Sequence, residues 1–512
     1  MKSGESGSIP EADVVRGSAK WRASRVSESA RWVAEHPAWA IVPLGMALVA
    51  AVGLYRLGSK SLWLDEAYAL ALARHSWADM WSISWGPQGP PTMLLYQLLQ
   101  HPWLALGSSE AAFRSLSVVF AVATVPPFYL LAKRLFGSGA AAASILLLAL
   151  NAFFVQYAQE ARAYSLVLFL VVVSSTLLLR AIDRPTSGRW LAYVLSAVLA
   201  LYSHYFAALI ILAHFVSLLA RRPAVPKRVM VVVFGSIAVA AVPLLVAVKA
   251  NPGALGWVPQ LTVAYARYVL ETLIGSTGDH PLLLPAAYVA VCAGGIAVAL
   301  VRRQWRWEWL FAASLVLVPI VVALVVSLVK PVFVARYLIV ALPGLILLAV
   351  AAFSLVRPRW LAIAGVLALA ILSANNLRGW YTGMPKEDWR DAVQYVAVHA
   401  QPGDAMIVYP NYCRLPVDYY IERQPAAATI QPLFPTPGWG KYFPGEVDGA
   451  TLQVALTSQK TPAKRIWIVY RYGPPSPSSP DGMAIASATH NQPPLSDTHF
   501  PYVDVQLYQI DP

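Results

Sequence analysis

The chain has 512 residues, of which 58% are hydrophobic and only 13% charged, with a formal net charge of +13. A soluble domain carries roughly 25% charged residues, so this composition excludes an ordinary water-soluble enzyme and describes a polytopic membrane protein. Nucleic-acid binding is excluded by position: the basic residues punctuate apolar runs, at 221–228 (RRPAVPKR), 302–307 (RRQWRW) and 357–359 (RPR), as the positive-inside rule expects of cytoplasmic loops.

Residues 1–37 hold six Lys/Arg and five acids, with no short apolar core leading to a small-residue cleavage site. They read as a cytoplasmic N-terminal tail. A spanning helix needs about 20 mostly apolar residues. Segments 38–57, 110–136, 139–157, 161–181, 228–248, 282–301, 307–329, 333–354 and 358–377 qualify, and 189–220 reads as two short spans meeting at SHYF (203–206), which makes eleven. The remaining apolar stretch, 92–107 (TMLLYQLLQHPWLALG), is broken by Gln97, Gln100 and His101 and reads as an amphipathic interfacial helix. With it out of the membrane, every basic cluster falls on the cytoplasmic side. The N-terminus is then inside and the C-terminus outside.

After residue 378 the pattern changes. PKEDWRDAVQYVAVHAQPGD (385–404) reads as a helix with acids in its first turn, where the helix dipole favours them. AMIVY (405–409), RIWIVYRY (465–472) and VDVQLYQI (503–510) read as strands between Pro/Gly-rich connections. The predicted fold is therefore a polytopic α-helical membrane protein of about eleven transmembrane helices plus interfacial helices, with a small C-terminal extracytoplasmic α/β domain. Its parts are the tail 1–37, a transmembrane module 38–380 and the outer domain 381–512. In that domain Trp389 and Tyr409 read as packing residues, although they and Arg390 are placed to reach toward the membrane module. The two cysteines, Cys292 and Cys413, are too far apart in kind and position to build a disulfide framework or a thiolate metal site.

Charges beside the spans carry the functional signal. In SLWLDEAYAL (61–70), Asp65 and Glu66 are adjacent, so their side chains diverge and at most one faces a shared site. They either start an interfacial helix, with Asp65 as its cap, or one of them serves as a catalytic carboxylate. In YAQEARAYSL (157–166), Glu160 and Arg162 sit between two spans among tyrosines, including Tyr164. Ionisable groups there usually face partners or a water-filled cavity. In KPVFVARYL (330–338), Lys330 and Arg336 are cations on the outer side, against the positive-inside trend, and an arginine fork suits a phosphate. Together these residues predict an outer-face site where a phosphate-linked lipid docks against cations. A carboxylate there would take the proton of an attacking hydroxyl, and the leaving phosphate would need electrostatic stabilisation. No nucleotide-binding glycine motif is present.

The ordered set LWLDEAYA, GPPTMLLYQLL, FRSLSVVFAVATVPPFYLLAKRLFG and YAQEARAYSL resembles the multispanning GT-C glycosyltransferases. The resemblance is to the bacterial family-39-like group related to protein O-mannosyltransferases and the aminoarabinose transferase of lipid A. It covers roughly 38–380 and is most specific over 60–166, with ARYLIVALPGL (335–345) matching a later segment. It implies an inverting transfer of a sugar, such as mannose or arabinose, from a polyprenyl-phosphate donor to an extracytoplasmic acceptor at the cell membrane. It also implies Asp65 as the catalytic base, Glu66 as an acceptor-orienting acid, Glu160 and Arg162 as the second-loop charged motif, and Arg336 with Tyr337 near the donor phosphate. Some relatives have a lysine immediately before the Pro-Pro pair, where Gly89 stands here, and an arginine where Tyr68 stands. A donor-phosphate contact is accordingly expected from Lys330. Asp65, Glu66 and Glu160 are of a type to ligate a divalent cation, though without histidine spacing to support one. The alternative class, a transporter or flippase for a lipid-linked sugar, lacks its usual marks: there is no inverted repeat and no acid deep in a span.

Overall fold

The computed structural model describes residues 38–86, 93–250, 256–277, 282–383, 386–424, 430–435 and 463–510. The tail 1–37, Gly89 with the Pro-Pro pair, and Asp279, an acid of the loop 249–281 expected on the outer face, lie outside the described residues. The chain starts as α1 (Ala38–Leu54), followed by three short helices, α2 (Leu64–Ala73), α3 (Trp77–Trp85) and α4 (Leu94–Trp103). The long α5 (Glu110–Phe136) leads into α6 (Ser138–Ala149), α7 (Ala152–Ala158), α8 (Tyr164–Asp183), α9 (Ser187–Ser203), α10 (Ala207–Leu219) and α11 (Lys227–Ala250). The bundle is completed by α12 (Val263–Ile274), α13 (Leu283–Val301), α14 (Trp307–Ser327), α15 (Leu342–Ser354) and α16 (Arg359–Gly383).

Each of the eleven expected spans has a helix, but not all reach full length. Among the described residues, seven helices are long and apolar enough to cross a membrane, or eight if the bent pair α6–α7 counts as one. The others, α1, α9 and α10, have 17, 17 and 13 residues. The expected span 139–157 bends by 63° at its break. Asn151 causes it: its side chain accepts from the Phe154 N–H at 2.9 Å, starting α7 afresh, and donates to the Ile274 carbonyl at 2.8 Å. The span 333–354 likewise begins as a 3-10 segment, Ala335–Ala341, before α15. The break between α9 and α10 falls at residues 204–206, inside SHYF, as expected. At 10 residues α4 is far too short to cross the roughly 30 Å apolar core of a bilayer, at about 1.5 Å per residue.

Within the bundle α5 packs against α1, α6 and α8, and α15, buried from Leu342 to Ala352, packs against α6, α13 and α14. Gly344 allows this: a Cβ there would stand 2.7 Å from the Leu315 Cβ. The arginine-bearing turns, with Arg134, Arg303 and Arg306, gather at one end of the bundle around a cavity they share with Glu308 and Trp309. The loop 57–63 and the turn 159–163 lie against the terminal domain at the other end.

The terminal domain opens with α17 (Trp389–His399) and carries β1 (Ala405–Tyr409), α18 (Arg414–Ile421), β2 (Gln431–Phe434), β3 (Arg465–Arg471), α19 (Pro480–Ala488), β4 (Ser496–Phe500) and β5 (Val503–Gln509). The strand order is β2-β1-β3-β5-β4. β1 runs parallel to β2 and β3, and β5 runs antiparallel to β3 and β4. The apolar strands β1, β3 and β5 were legible in sequence; the two edge strands, the short β2 (QPLF) and the polar β4 (SDTHF), were not. The domain has no self-contained core on its bundle side. Trp389, Val393, Met406, Val417 and Trp467 pack in one cluster with Leu62, Ala69, Leu70, Ala73, Phe113 and Ala161 of the helical module. Tyr409 donates to Asp481 within the domain, whereas Arg390 crosses to the bundle, where Nη2 meets Glu110 at 2.6 Å.

Candidate active site

Most of the charged residues singled out in sequence come together where the terminal domain meets the bundle. Asp65 and Glu66 occupy the first turn of α2, and successive helical residues point about 100° apart. The consequence is a division of environments. The Glu66 side chain is 0% exposed and Asp65 is 26% exposed.

Glu66 is gripped by Arg114 of α5, Nε to Oε1 and Nη2 to Oε2, both at 2.7 Å. The remaining Arg114 donors go to the carbonyls of Leu57, Lys60 and Ser61, so all five N–H groups are used. Glu66 Oε1 also accepts from the Ala161 N–H at 2.9 Å. Burial opposes the Glu66 charge, but Arg114, Lys386 and these hydrogen bonds outweigh it and hold the carboxyl down at about 2. Its oxygens are therefore occupied in fixing the loop 57–61 and the turn 159–163 to one another. This differs from the expected acceptor-orienting part, because a carboxylate sealed from solvent has no free lone pair to offer. Asp65 is not the cap of α2 either: Trp63 holds that position, and the Leu64 N–H is taken by the Glu387 carboxylate at 3.1 Å.

Asp65 faces the cations. Its Oδ2 lies 3.4 Å from Arg336 Nη1 and 3.6 Å from Arg162 Nη2, and Arg162 Nη1 donates to the Asp65 carbonyl at 3.3 Å. The turn that carries Arg162 is pinned on both sides. Gln159 donates to the Gly53 and Tyr55 carbonyls and accepts from Trp380 Nε1, while Ser117 donates to the Glu160 carbonyl at 2.6 Å. Arg336 is delivered by the 3-10 segment, and its guanidinium lies 4.3 Å from the Trp257 ring centroid and 5.5 Å from that of Trp63. Tyr337 packs against His204 and Phe206, with centroids 5.0 Å away in each case, and Tyr164 packs against Tyr157 at 4.7 Å. Tyr68 is half-buried near Arg162 and Asp65, and burial pushes its phenol up to about 12.

Several buried polar atoms in this cluster have no hydrogen-bond partner among the described residues: Trp63 Nε1, Glu160 Oε1, Arg162 Nε, Tyr164 OH and Arg336 Nε. Buried polar groups are nearly always paired, so this concentration marks a place built for something other than packing.

Two residues change role. Lys330 is exposed and makes no ion pair with these carboxylates among the described residues, so its position at the end of a span does not bring it into the site. Lys386 does enter, from the segment after α16, with Nζ 3.4 Å from Glu66 Oε2 and 3.6 Å from Glu160 Oε2. Burial pushes the Glu160 carboxyl up, against the Lys386 ammonium and with the neighbouring Glu66 charge. Lys386 had no sequence signal of its own: Arg378 is the first cation after the expected span 358–377, and Lys386 stands in the polar run that follows. Trp63 and His204 stood inside quoted stretches, LWLDEAYA and SHYF, without being singled out, and Trp257 had no signal.

The carboxylates do not fit a divalent cation. Glu66 is committed to Arg114, Lys386 stands beside both Glu66 and Glu160, and no group of three metal-ligating side chains converges among the described residues.

A cleft of about 230 Å³ leads to this cluster between bundle and terminal domain, lined by Trp63, Tyr157, Glu160, Arg336 and Trp380 on one side and Lys386, Glu387, Tyr472 and Tyr502 on the other. Tyr472 and Tyr502 adopt φ of 61° and 60°, a left-handed conformation unusual for bulky residues and often retained at functional sites.

Residues 90–246, under half of the chain, match the family described as dolichyl-phosphate-mannose-protein mannosyltransferase. No curated protein sequence matches the chain. Among solved structures, ArnT from Cupriavidus metallidurans in the apo state is 14% identical, with a TM-score of 0.56 over 92% of this chain and 98% of that one. The same ArnT bound to undecaprenyl phosphate gives 0.55 at 14% identity, over 91% and 97%. The Archaeoglobus fulgidus oligosaccharyltransferase tethered with an acceptor peptide gives 0.50 at 11% identity, over 86% and 70%. The chain has the GT-C glycosyltransferase fold, with a small sheet domain at its C-terminus.

Proposed function

We propose that this protein is an inverting membrane glycosyltransferase that moves a sugar, such as mannose or arabinose, from a polyprenyl-phosphate donor to a hydroxyl of a cell-envelope acceptor. The observation that carries the reading is the setting of Asp65. It is the accessible carboxylate of the cluster, it lies against two guanidiniums, and it is ringed by buried polar atoms without partners. The fold shared with ArnT, a protein solved with undecaprenyl phosphate, supports a lipid-phosphate donor.

Asp65 takes the proton of the acceptor hydroxyl as its oxygen bonds to the anomeric carbon. The bond from that carbon to the phosphate oxygen breaks, and the electron pair leaves with the polyprenyl phosphate. Arg336 and Arg162 stabilise the charge that develops on the departing phosphate. Their distances of 3.4 and 3.6 Å from Asp65 are longer than a strong charged hydrogen bond, so both can turn to an anion without breaking a tight pair. Trp63 and Trp257 flank Arg336 and keep its plane fixed. Glu66 and Arg114 act as the internal strut, and the acceptor enters by the cleft past Tyr472 and Tyr502.

The protein spans the membrane several times. In this reading it resides in the plasma membrane, with the tail 1–37 and the arginine-rich turns cytoplasmic and the terminal domain outside, as the positive-inside rule orients it.

The test is turnover of radiolabelled polyprenyl-phosphate sugars by the full chain in nanodiscs, with Asp65→Asn beside wild type. Transfer or sugar release that vanishes in Asp65→Asn while donor binding persists supports the reading. Equal turnover by the two proteins would sink it.

A further inference from the structure

Glu387 lies immediately beyond the bundle, at the entry to the terminal domain, and its side chain is 4% exposed. Four N–H donors converge on its carboxylate. Oε2 accepts from the Leu64 backbone at 3.1 Å and from Trp389 Nε1 at 2.8 Å, while Oε1 accepts from Nε and Nη2 of Arg471. Leu64 is the first residue of α2, and Trp63 before it offers no side-chain acceptor. The first N–H groups of a helix have no partner within it, and a carboxylate placed there is favoured both as acceptor and by the helix dipole. The cap of α2 therefore comes from a residue 323 positions away in sequence, in the terminal domain. The next residue in the capped helix is Asp65.

The same helix is held a second time by the same domain. Ala69, Leu70 and Ala73, the stripe continuing from Glu66, are buried in the cluster that includes Val417, Tyr420 and Trp467. Arg471, the last residue of β3, ties the cap to the sheet, and the following Tyr472 lines the cleft.

We infer that Glu387 is a positioning residue for Asp65: through Arg471 and the Leu64 N–H, the terminal domain sets the start of the helix that presents the carboxylate. This rests on Asp65 being the base. The terminal domain is then a working part of the site, since moving β3 away from the bundle removes the cap and frees the first turn of α2.

The experiment compares Glu387→Ala and Glu387→Gln with wild type as full chains in nanodiscs. Turnover, donor affinity and amide hydrogen exchange at residues 64–67 are measured for each. Glu387→Ala is expected to lower kcat by about tenfold or more, since small misplacement of a reacting group is costly. Donor affinity should hold, and exchange at 64–67 should quicken. Glu387→Gln, whose amide oxygen still accepts from Leu64, is expected to recover most of the protection and of kcat. Unchanged exchange in Glu387→Ala would show that no cap is lost. Faster exchange with wild-type kcat would show a cap that does not position the base. Either result overturns the proposal. Wild-type turnover by Asp65→Asn would instead overturn the reading of Asp65, whatever Glu387 does.

Discussion

Arg114 holds Glu66 by a two-point contact, Nε to Oε1 and Nη2 to Oε2, each 2.7 Å long, with both side chains sealed from solvent. A buried ion pair of this kind is most sensitive to loss of one member, which strands the other charge. Glu66→Gln and Arg114→Met are each expected to lower stability by about 3–5 kcal/mol, and Glu66→Leu/Arg114→Met by less than either. Thermal unfolding in detergent checks this. The folded Glu66 carboxyl, at about 2, lies below its ordinary 4.5, so the unfolded chain binds more protons between those values. The contribution is full above 4.5 and is lost as pH falls toward 2.

Arg336 presents a flat fork between Trp63 and Trp257, and lysine keeps the charge but not the fork. Arg336→Lys should weaken polyprenyl-phosphate binding by about 10–100-fold, the worth of a charged hydrogen bond or two. Lys330→Met should leave it unchanged, because Lys330 is exposed and outside the cluster. Quenching of tryptophan fluorescence by added lipid phosphate reports both. A lysine variant that binds like wild type would remove Arg336 from the donor site.

Glu160 bears on pH in the opposite sense to Glu66. Burial raises its carboxyl above 4.5 in the folded protein, so the folded state keeps a proton that the unfolded state has lost. Stability therefore declines as pH rises from 4.5 through the raised value, then levels off. Glu160→Gln removes that decline, and its Tm relative to wild type should rise as pH rises above 4.5. A difference that is flat with pH would mean that Lys386 compensates Glu160 fully.

Gly344 sits where α15 meets α14, with the Leu315 Cβ 2.7 Å and the Val316 Cγ2 2.9 Å from where its own Cβ would be. Gly344→Ala is expected to cost about 1–3 kcal/mol by overpacking, read as a lower Tm. Since α15 continues the 3-10 segment holding Arg336, donor affinity should fall with it.

Much of this protein was determined by sequence alone. Apolar runs of spanning length have few alternatives in a bilayer, because every backbone polar group must be satisfied within the segment, and a helix formed at each expected place. The short α4 was legible from its glutamines, and the charged turns were legible because Asp65, Glu160, Arg162 and Arg336 interrupt apolar sequence where charge is costly. What sequence left open was which neighbour each charge would meet. Sequence alone said that at most one of Asp65 and Glu66 faces a shared site, and the resemblance gave them different parts, but only the packing of α2 turned Asp65 toward Arg336 and sealed Glu66 against Arg114. Lys330 and Lys386 both stand just after apolar helices, and only the return of the terminal domain brings Lys386 to Glu160. The cap on α2 spans 323 residues and has no local signature. Periodicity and hydropathy act over a turn or two of chain, whereas ion pairs and caps form between whatever side chains the packing of helices and domain brings within a few ångströms, and that packing is a property of the whole fold.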